Sequence, residues 1–424
     1  MKKNFKRIIL ENGMRVILNP NKASLATTIL VLVEAGSKYE TKNISGLSHF
    51  LEHMCFKGTV KRPTALDITS EMEGMGAEYN AFTSHEWTGY YAKVQPHKAK
   101  QVLDLIADMY LNPVFDEKEI EKEKGVIIEE INMYEDTPAR RVGELFTQLL
   151  YGDQPAGWDI GGNKEVIKIL KREDFIKYRS KHYVGQATAI IVSGNFNESE
   201  FLNLIKKNFK ALKSGEKGGK LKVVEVQSKP EVKVQFKQSD QSHLIVGVRA
   251  FDLYDKRRYA LDVLSDVLGG GMSSRLFQKI REVMGAAYYV RSSTDLFTDH
   301  GFLSVGAGVE HSKLESVVSA VLEEFKRIKS ELVPEKELKR SKDHLTGRFL
   351  LGLEGSDALA NYYGSQEVSR EKILSPEEMM AKIKKVKASE ILEVAKFIFQ
   401  NEKLNLALIG PVKDGVSLKN ILKI

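Results

Sequence analysis

The 424-residue sequence predicts an α+β protein built from two repeated domains. Three observations carry that prediction. Runs of β-branched and aromatic residues alternate with amphipathic helical segments along the whole chain. Residues 213–222 (KSGEKGGKLK) lose all periodicity and have the Gly, Ser and charge content of a flexible linker. The two sides of that stretch also echo each other: Phe115-Asp116-Glu117-Lys118-Glu119-Ile120 aligns with Val333-Pro334-Glu335-Lys336-Glu337-Leu338, and Ile190-Ile191-Val192-Ser193-Gly194 with Leu406-Ala407-Leu408-Ile409-Gly410. The expected division is a first domain over 1–212, a linker over 213–222 and a second domain over 223–424.

Residues 5–19 read as a hairpin about Asn12-Gly13, a pair that accepts the positive φ angles of a type I′ turn. A strand follows at 27–35, apolar without a break over 29–33, then a polar connection over 36–46 and a short helix. A second helix is expected over 63–73, with Pro63 in its first turn and Gly74 and Gly76 ending it. The aromatic and β-branched segment 78–94 reads as one or two strands. Helices at 97–111 and 117–134 come next, and a strand at 187–192 closes the half. The second half repeats this outline with strands at 232–236 and 243–248, a helix ending at Gly269-Gly270-Gly271, a strand region at 287–309 and two more helices.

The short helix carries the chemistry. In Gly46-Leu47-Ser48-His49-Phe50-Leu51-Glu52-His53-Met54, a helical step puts His49, Glu52 and His53 within an arc of about 100°, with Leu47, Phe50, Leu51 and Met54 on the opposite side. A lone histidine beside an apolar run is usually a satisfied core or surface residue. His-x-x-Glu-His is more demanding, and chance should produce it about once per hundred chains with nine histidines. Imidazoles at i and i+4 can hold a metal, and the carboxylate beside them can work on a water. A catalytic zinc needs a third protein ligand.

The acidic helix at 117–134 offers candidates, although such a charge-rich helix is usually a solvated face. Glu123 and Glu130 lie seven apart, within about 20° on one face and about 10 Å along the axis. One of them can ligate while the other steadies the site. Local pattern does not separate Glu130 from its neighbour Glu129. In the repeat, Ser341 and Arg348 stand opposite Glu123 and Glu130, and no histidine matches His49 or His53, so the second copy lacks the metal chemistry.

Composition narrows the partners. The net charge of +7 comes from 64 Lys plus Arg against 57 Asp plus Glu, interspersed throughout, which gives no basic patch for nucleic acid. The single cysteine, Cys55, excludes an internal disulfide. The basic start at 1–7 is followed by only three apolar residues, too few for a signal peptide, and the longest apolar run, 29–33, is far short of a membrane span. A soluble cytoplasmic protein without nucleic-acid or membrane partners is expected.

Joined in this order, the motifs resemble the pitrilysin and insulin-degrading metallopeptidases, whose inverted zinc motif is His-x-x-Glu-His, and most closely the bacterial relatives of mitochondrial processing peptidase. The similarity covers essentially the whole chain. It is carried by the helix motif extended through Cys55-Phe56-Lys57-Gly58-Thr59, by Asn80-Ala81-Phe82-Thr83-Ser84 with Tyr90-Tyr91-Ala92-Lys93, and by Glu121-Lys122-Glu123-Lys124-Gly125-Val126-Ile127-Ile128-Glu129-Glu130. The resemblance implies that each domain is a mostly antiparallel sheet packed with helices and that the chain is half of a clamshell chamber. A homodimer is then expected, with a paralogous partner chain as the other option. The resemblance implies one Zn2+ per chain held by His49, His53 and Glu130, Glu52 as general base and Glu123 as the supporting carboxylate. It also implies that Arg281 and Tyr288, which follow Gly269-Gly270-Gly271, bind the substrate backbone near the reacting carbonyl. Asn80, Ala81, Phe82 and Thr83 are expected to take an extended peptide by strand addition. The implied activity is zinc-dependent endopeptidase hydrolysis of unfolded peptides. A non-catalytic partner subunit of the same fold is the alternative, and the intact residue set argues against it.

Overall fold

The computed structural model describes residues 5–369, 372–413 and 415–424; the basic start at 1–4 lies outside them. Along the first half run β1 (Lys6–Ile9), β2 (Arg15–Pro20), β3 (Thr27–Val33), α1 (Leu47–Met54), α2 (Ala65–Gly74), β4 (Glu78–Thr83), β5 (Thr88–Val94), α3 (Ala99–Leu111), α4 (Glu117–Glu135), α5 (Pro138–Tyr151), α6 (Lys164–Ile169), α7 (Arg172–His182), β6 (Thr188–Gly194) and α8 (Glu198–Asn208). The six strands form one sheet in the order β1-β2-β6-β3-β5-β4. Every neighbouring pair is antiparallel except β2 with β6.

The second half continues with β7 (Glu231–Phe236), β8 (Ser242–Arg249), α9 (Arg258–Gly269), β9 (Ala287–Leu296), β10 (Gly301–Val309), α10 (Leu314–Ser330), α11 (Glu335–Leu351), α12 (Ser356–Ser369), α13 (Pro376–Lys385), α14 (Ala388–Ile398), β11 (Leu404–Gly410) and α15 (Val416–Ile421). Its sheet runs β7-β11-β8-β10-β9, again with one parallel pair, β7 with β11. This order matches β2-β6-β3-β5-β4 strand for strand, so the repeat read from the sequence is a repeat of topology. The helices after β10 outnumber the two expected: α10 to α14 precede β11, and α15 follows it.

The compact units cut the chain differently from the linker boundary at 213–222. One unit comprises Met1–Ile131, Asp159–Leu221 and Leu351–Ser375, and the other Asn132–Trp158, Lys222–Leu350 and Pro376–Ile424. The reason is an exchange of helices. In the first unit, α12 lays Ala360 and Tyr363 on Ile17, Leu30, Leu32 and Ile191. In the second, α5 lays Val142, Leu145, Phe146 and Leu150 against Ala407 and Ile409. The other face of the first sheet is covered by α1 and α3, whose apolar residues share a core with Ile29, Val31 and Val33. With both faces covered, β3 and β6 are buried along their whole length, which is why they read as continuous apolar runs rather than alternating ones.

Three local expectations are corrected. The hairpin of β1 and β2 forms, but not through a type I′ turn, because Gly13 has φ +86 while Asn12 does not lie at positive φ. Leu10 N–H donates to the Met14 carbonyl, and the Asn12 amide is used as an anchor: its oxygen accepts from Met14 N–H and its nitrogen donates to the carbonyls of Phe209 and Leu212. Helix α2 begins after Thr64, which makes a capping box with Asp67 and leaves Pro63 outside. The helix expected from 97 starts as a 3-10 turn over Pro96–Lys98 before α3. No helix among the described residues is long and apolar enough to cross a membrane.

Candidate metal centre

Helix α1 is held rigidly at its start. Gly46 sits at φ +93, and a Cβ there would lie 2.7 Å from the Gly161 carbonyl oxygen, so both backbone angle and space require glycine. The buried Glu40 carboxylate accepts from the N–H groups of Gly46 at 2.7 Å and Ser48 at 2.6 Å, the donors that a first helical turn leaves without partners. Leu47, Phe50, Leu51 and Met54 enter the core of the first sheet, as the helical period predicts. The opposite arc carries His49, Glu52 and His53.

Helix α4 brings Glu130 to that arc. Glu130 Oε2 lies 3.7 Å from His49 Nε2 and 3.6 Å from His53 Nε2. One ligand atom from each of the three residues falls within 4.8 Å of the others, and no second group of this kind occurs among the described residues. Donors bonded to zinc at its usual lengths in a tetrahedral arrangement stand about 3.4 Å apart. Two imidazoles and one carboxylate at these separations fit a catalytic zinc, which keeps its fourth position open. Glu129, one residue away, is exposed and does not join the group.

Glu123, two turns before Glu130, takes the back of the cluster. Its Oε1 is 2.9 Å from His53 Nδ1, and its Oε2 is 2.5 Å from Lys57 Nζ. Burial works to raise the Glu123 pKa, but the hydrogen bonds from His53 and Lys57 outweigh it and hold the group below its ordinary value. For His53, burial pulls the pKa down, but Glu123, Glu52 and Glu130 outweigh it and the net shift is upward. Glu52 is buried, which raises its pKa, and its Oε2 accepts from Thr83 Oγ1 at 2.5 Å.

Thr83 ends β4, an edge strand of the sheet. Along β4 the side chains alternate faces: Ala81 packs toward the core that holds α1, whereas Phe82 packs over Gly89 on the side that α12 covers, and Asn80 is exposed. The side chains of the four peptide-binding candidates therefore alternate between the two faces, and what the four share is the main-chain edge of the strand. Sequence reasoning missed the bond from Thr83 to Glu52, the cap from Glu40 and the clamp from Lys57. Of these only Lys57, four residues after His53, had a positional signal.

In the second unit, Arg281 lies in a π-helical turn, Phe277–Val283, a form of turn frequent at functional sites. Its guanidinium is 5.0 Å from the Phe277 ring and 5.8 Å from the ring of Tyr288, which is the second residue of β9 and is 74% exposed. The structure thus brings Arg281 and Tyr288 together. Ladder register sets Thr294 of β9 where Thr83 stands in β4: Thr83 pairs with Thr88 opposite Val33, and Thr294 pairs with Leu303 opposite Val248. Thr294 Oγ1 donates to Asp262 Oδ1 at 3.0 Å, the counterpart of the bond from Thr83 to Glu52. The repeat keeps that hydrogen bond and, among the described residues, has no counterpart of the group His49, His53 and Glu130.

A family model described as Insulinase (Peptidase family M16) matches residues 15–163, and one described as Peptidase M16 inactive domain matches 170–345. A Bacillus subtilis protein named as the uncharacterized zinc protease YmxG is 35% identical over 406 residues, 96% of this chain and 98% of that protein. The chain belongs to peptidase family M16. A Streptomyces coelicolor relative, named as the uncharacterized zinc protease SCO5738, is 32% identical over 96% of this chain and 90% of its own length. Among solved structures, a protease from Helicobacter pylori has a TM-score of 0.88 at 23% identity, covering 96% of this chain and 99% of that one. A Pseudomonas fluorescens structure described as a peptidase M16 inactive domain has a TM-score of 0.89 at 18% identity, covering 97% and 99%. The M16 fold is thus common to chains named for activity and for its absence, so catalysis has to be read from the residues of the site.

Proposed function

We propose that this M16 chain is a zinc-dependent endopeptidase acting on unfolded peptides. The observation that carries the reading is the meeting of His49, His53 and Glu130 within 4.8 Å, with Glu52 beside them and Glu123 behind His53. The naming of its relatives as zinc proteases points the same way. When bound, the ion would polarise the scissile carbonyl and bring the pKa of a water toward neutrality. Glu52 then takes the proton of the attacking water on its carboxylate and returns it to the leaving amine. A pKa raised by burial suits a group that must both accept and release a proton near neutral pH. Arg281 and Tyr288 would donate hydrogen bonds to the carbonyl oxygen as charge builds on it, each such donor being worth about 3 kcal/mol.

The free edge of β4 supports strand addition by an extended peptide, which is held by main-chain hydrogen bonds and so with loose sequence preference. The proposal extends to a homodimer, or a pair with a paralogous chain, closing a chamber. A cytoplasmic setting agrees with one buried cysteine. A non-catalytic partner subunit has no need of the complete set of ligands, base and supporting carboxylate. Hydrolysis of an unstructured peptide, followed by mass spectrometry, tests the reading: chelation should abolish cleavage and stoichiometric zinc should restore it. Cleavage that persists undiminished after complete removal of metal would overturn it.

A further inference from the structure

Lys57 stands behind the metal cluster and has no part in the scheme above. Its Nζ is 2.5 Å from Glu123 Oε2, and the other oxygen of that carboxylate is 2.9 Å from His53 Nδ1. A ligating imidazole takes its orientation from the partner of its second ring nitrogen. A carboxylate held by one donor can still turn about its terminal bond, and a second, charged donor on the other oxygen removes that freedom. The Glu123 side chain is 6% exposed and that of Lys57 25%, so this pair is shielded in a way that a surface ion pair is not.

The backbone sets Lys57 in place. Beyond Met54 the chain continues in tight turns, with the N–H of Phe56 donating to the His53 carbonyl and the N–H of Lys57 to that of Met54. Gly58 follows at φ +138, where a Cβ would lie 2.3 Å from the Pro63 carbonyl oxygen, so only glycine makes the bend. The Gly58 carbonyl accepts from Val114 N–H at 3.2 Å, and Thr59 bridges to Pro113. Those bonds tie the bend to the segment that leads into α4. The reach from Lys57 to Glu123 is therefore fixed by backbone register between the two elements that carry the ligands.

We propose that Lys57 is a positioning residue of the metal centre: by clamping Glu123 it fixes the His53 ring and so sets the affinity for the ion. The inference rests on the zinc reading above but concerns ion binding rather than turnover. On the full chain, zinc affinity is measured by competition with a chromophoric chelator, and the visible spectrum of the cobalt(II)-loaded protein reports ligand geometry. Lys57→Met should raise the zinc dissociation constant about 10- to 100-fold and alter the cobalt spectrum, while the metal-free protein keeps its far-UV circular dichroism. Lys57→Arg, which keeps a charged donor, should restore most of the affinity. Lys57→Gln replaces the methionine variant if the latter does not fold.

The decisive arm is Glu123→Gln with and without Lys57→Met. A residue that acts through Glu123 adds no further loss once Glu123 is changed, so the double variant should bind zinc as Glu123→Gln does. Wild-type affinity and spectrum in Lys57→Met, or a loss additive with that of Glu123→Gln, overturns the positioning role while the zinc reading stands. A wild-type chain that binds no zinc overturns both.

Discussion

Glu129 and Glu130 are adjacent on α4 and differ by about 100° in direction, so only one of them can face α1. Glu130 Oε2 lies within 3.7 Å of both imidazoles. Glu130→Gln should therefore lower zinc affinity by about tenfold or more, as the loss of a direct ligand does, and Glu129→Gln should leave it unchanged. Equal metal content in the two variants, measured by atomic absorption after dialysis, would remove Glu130 from the ligand set. At this scale the histidine pair and the seven-residue spacing of Glu123 and Glu130 were legible because both are periodic along a helix. Thr83 and Glu40 were not, since each reaches the site from outside the helix by a contact that no local pattern encodes; Lys57 had the right spacing from His53, but its partner Glu123 lies on another element.

Two helices cross between the halves of the chain, and their glycines report the packing. Gly364 of α12 lies where a Cβ would be 2.7 Å from Leu32 Cδ1, 3.1 Å from Ile191 Cδ1 and 3.2 Å from Leu30 Cδ2. Gly143 of α5 has nothing within 4 Å of that position. Gly364→Val should destabilise the protein by about 1–3 kcal/mol through overpacking. Gly143→Ala should stabilise it by about 0.5–1 kcal/mol through helix propensity. Urea unfolding measures both, and a harmless Gly364→Val would contradict the seating of α12 on the first sheet. The strands and most helices were legible from periodicity and breakers. The exchange was not, because amphipathic spacing shows that a helix has an apolar face without showing which sheet it covers. The type I′ turn at Asn12-Gly13 failed for a related reason: the Asn12 side chain is committed to carbonyls about 200 residues away, at Phe209 and Leu212.

For the whole molecule, duplication followed by divergence accounts for the shared strand order and for the presence, among the described residues, of a candidate metal-binding group in the first unit alone. Arg281 and Tyr288 belong to the second unit, and in the proposed dimer they would serve the candidate metal site of another chain. Mixing two inactive variants, His49→Ala and Arg281→Ala, under conditions of subunit exchange should restore up to about a quarter of wild-type activity if the pair acts between chains. No recovery despite demonstrated exchange would confine the pair to its own chain and leave the hydrolase reading intact. In the proposed chemistry Glu52 is a base beside the ion and not a ligand to it. Measured on one preparation of Glu52→Gln, zinc content should stay at about one ion per chain while peptide hydrolysis falls about 100- to 10,000-fold. Hydrolysis near the wild-type rate, or loss of the zinc together with the activity, would contradict it.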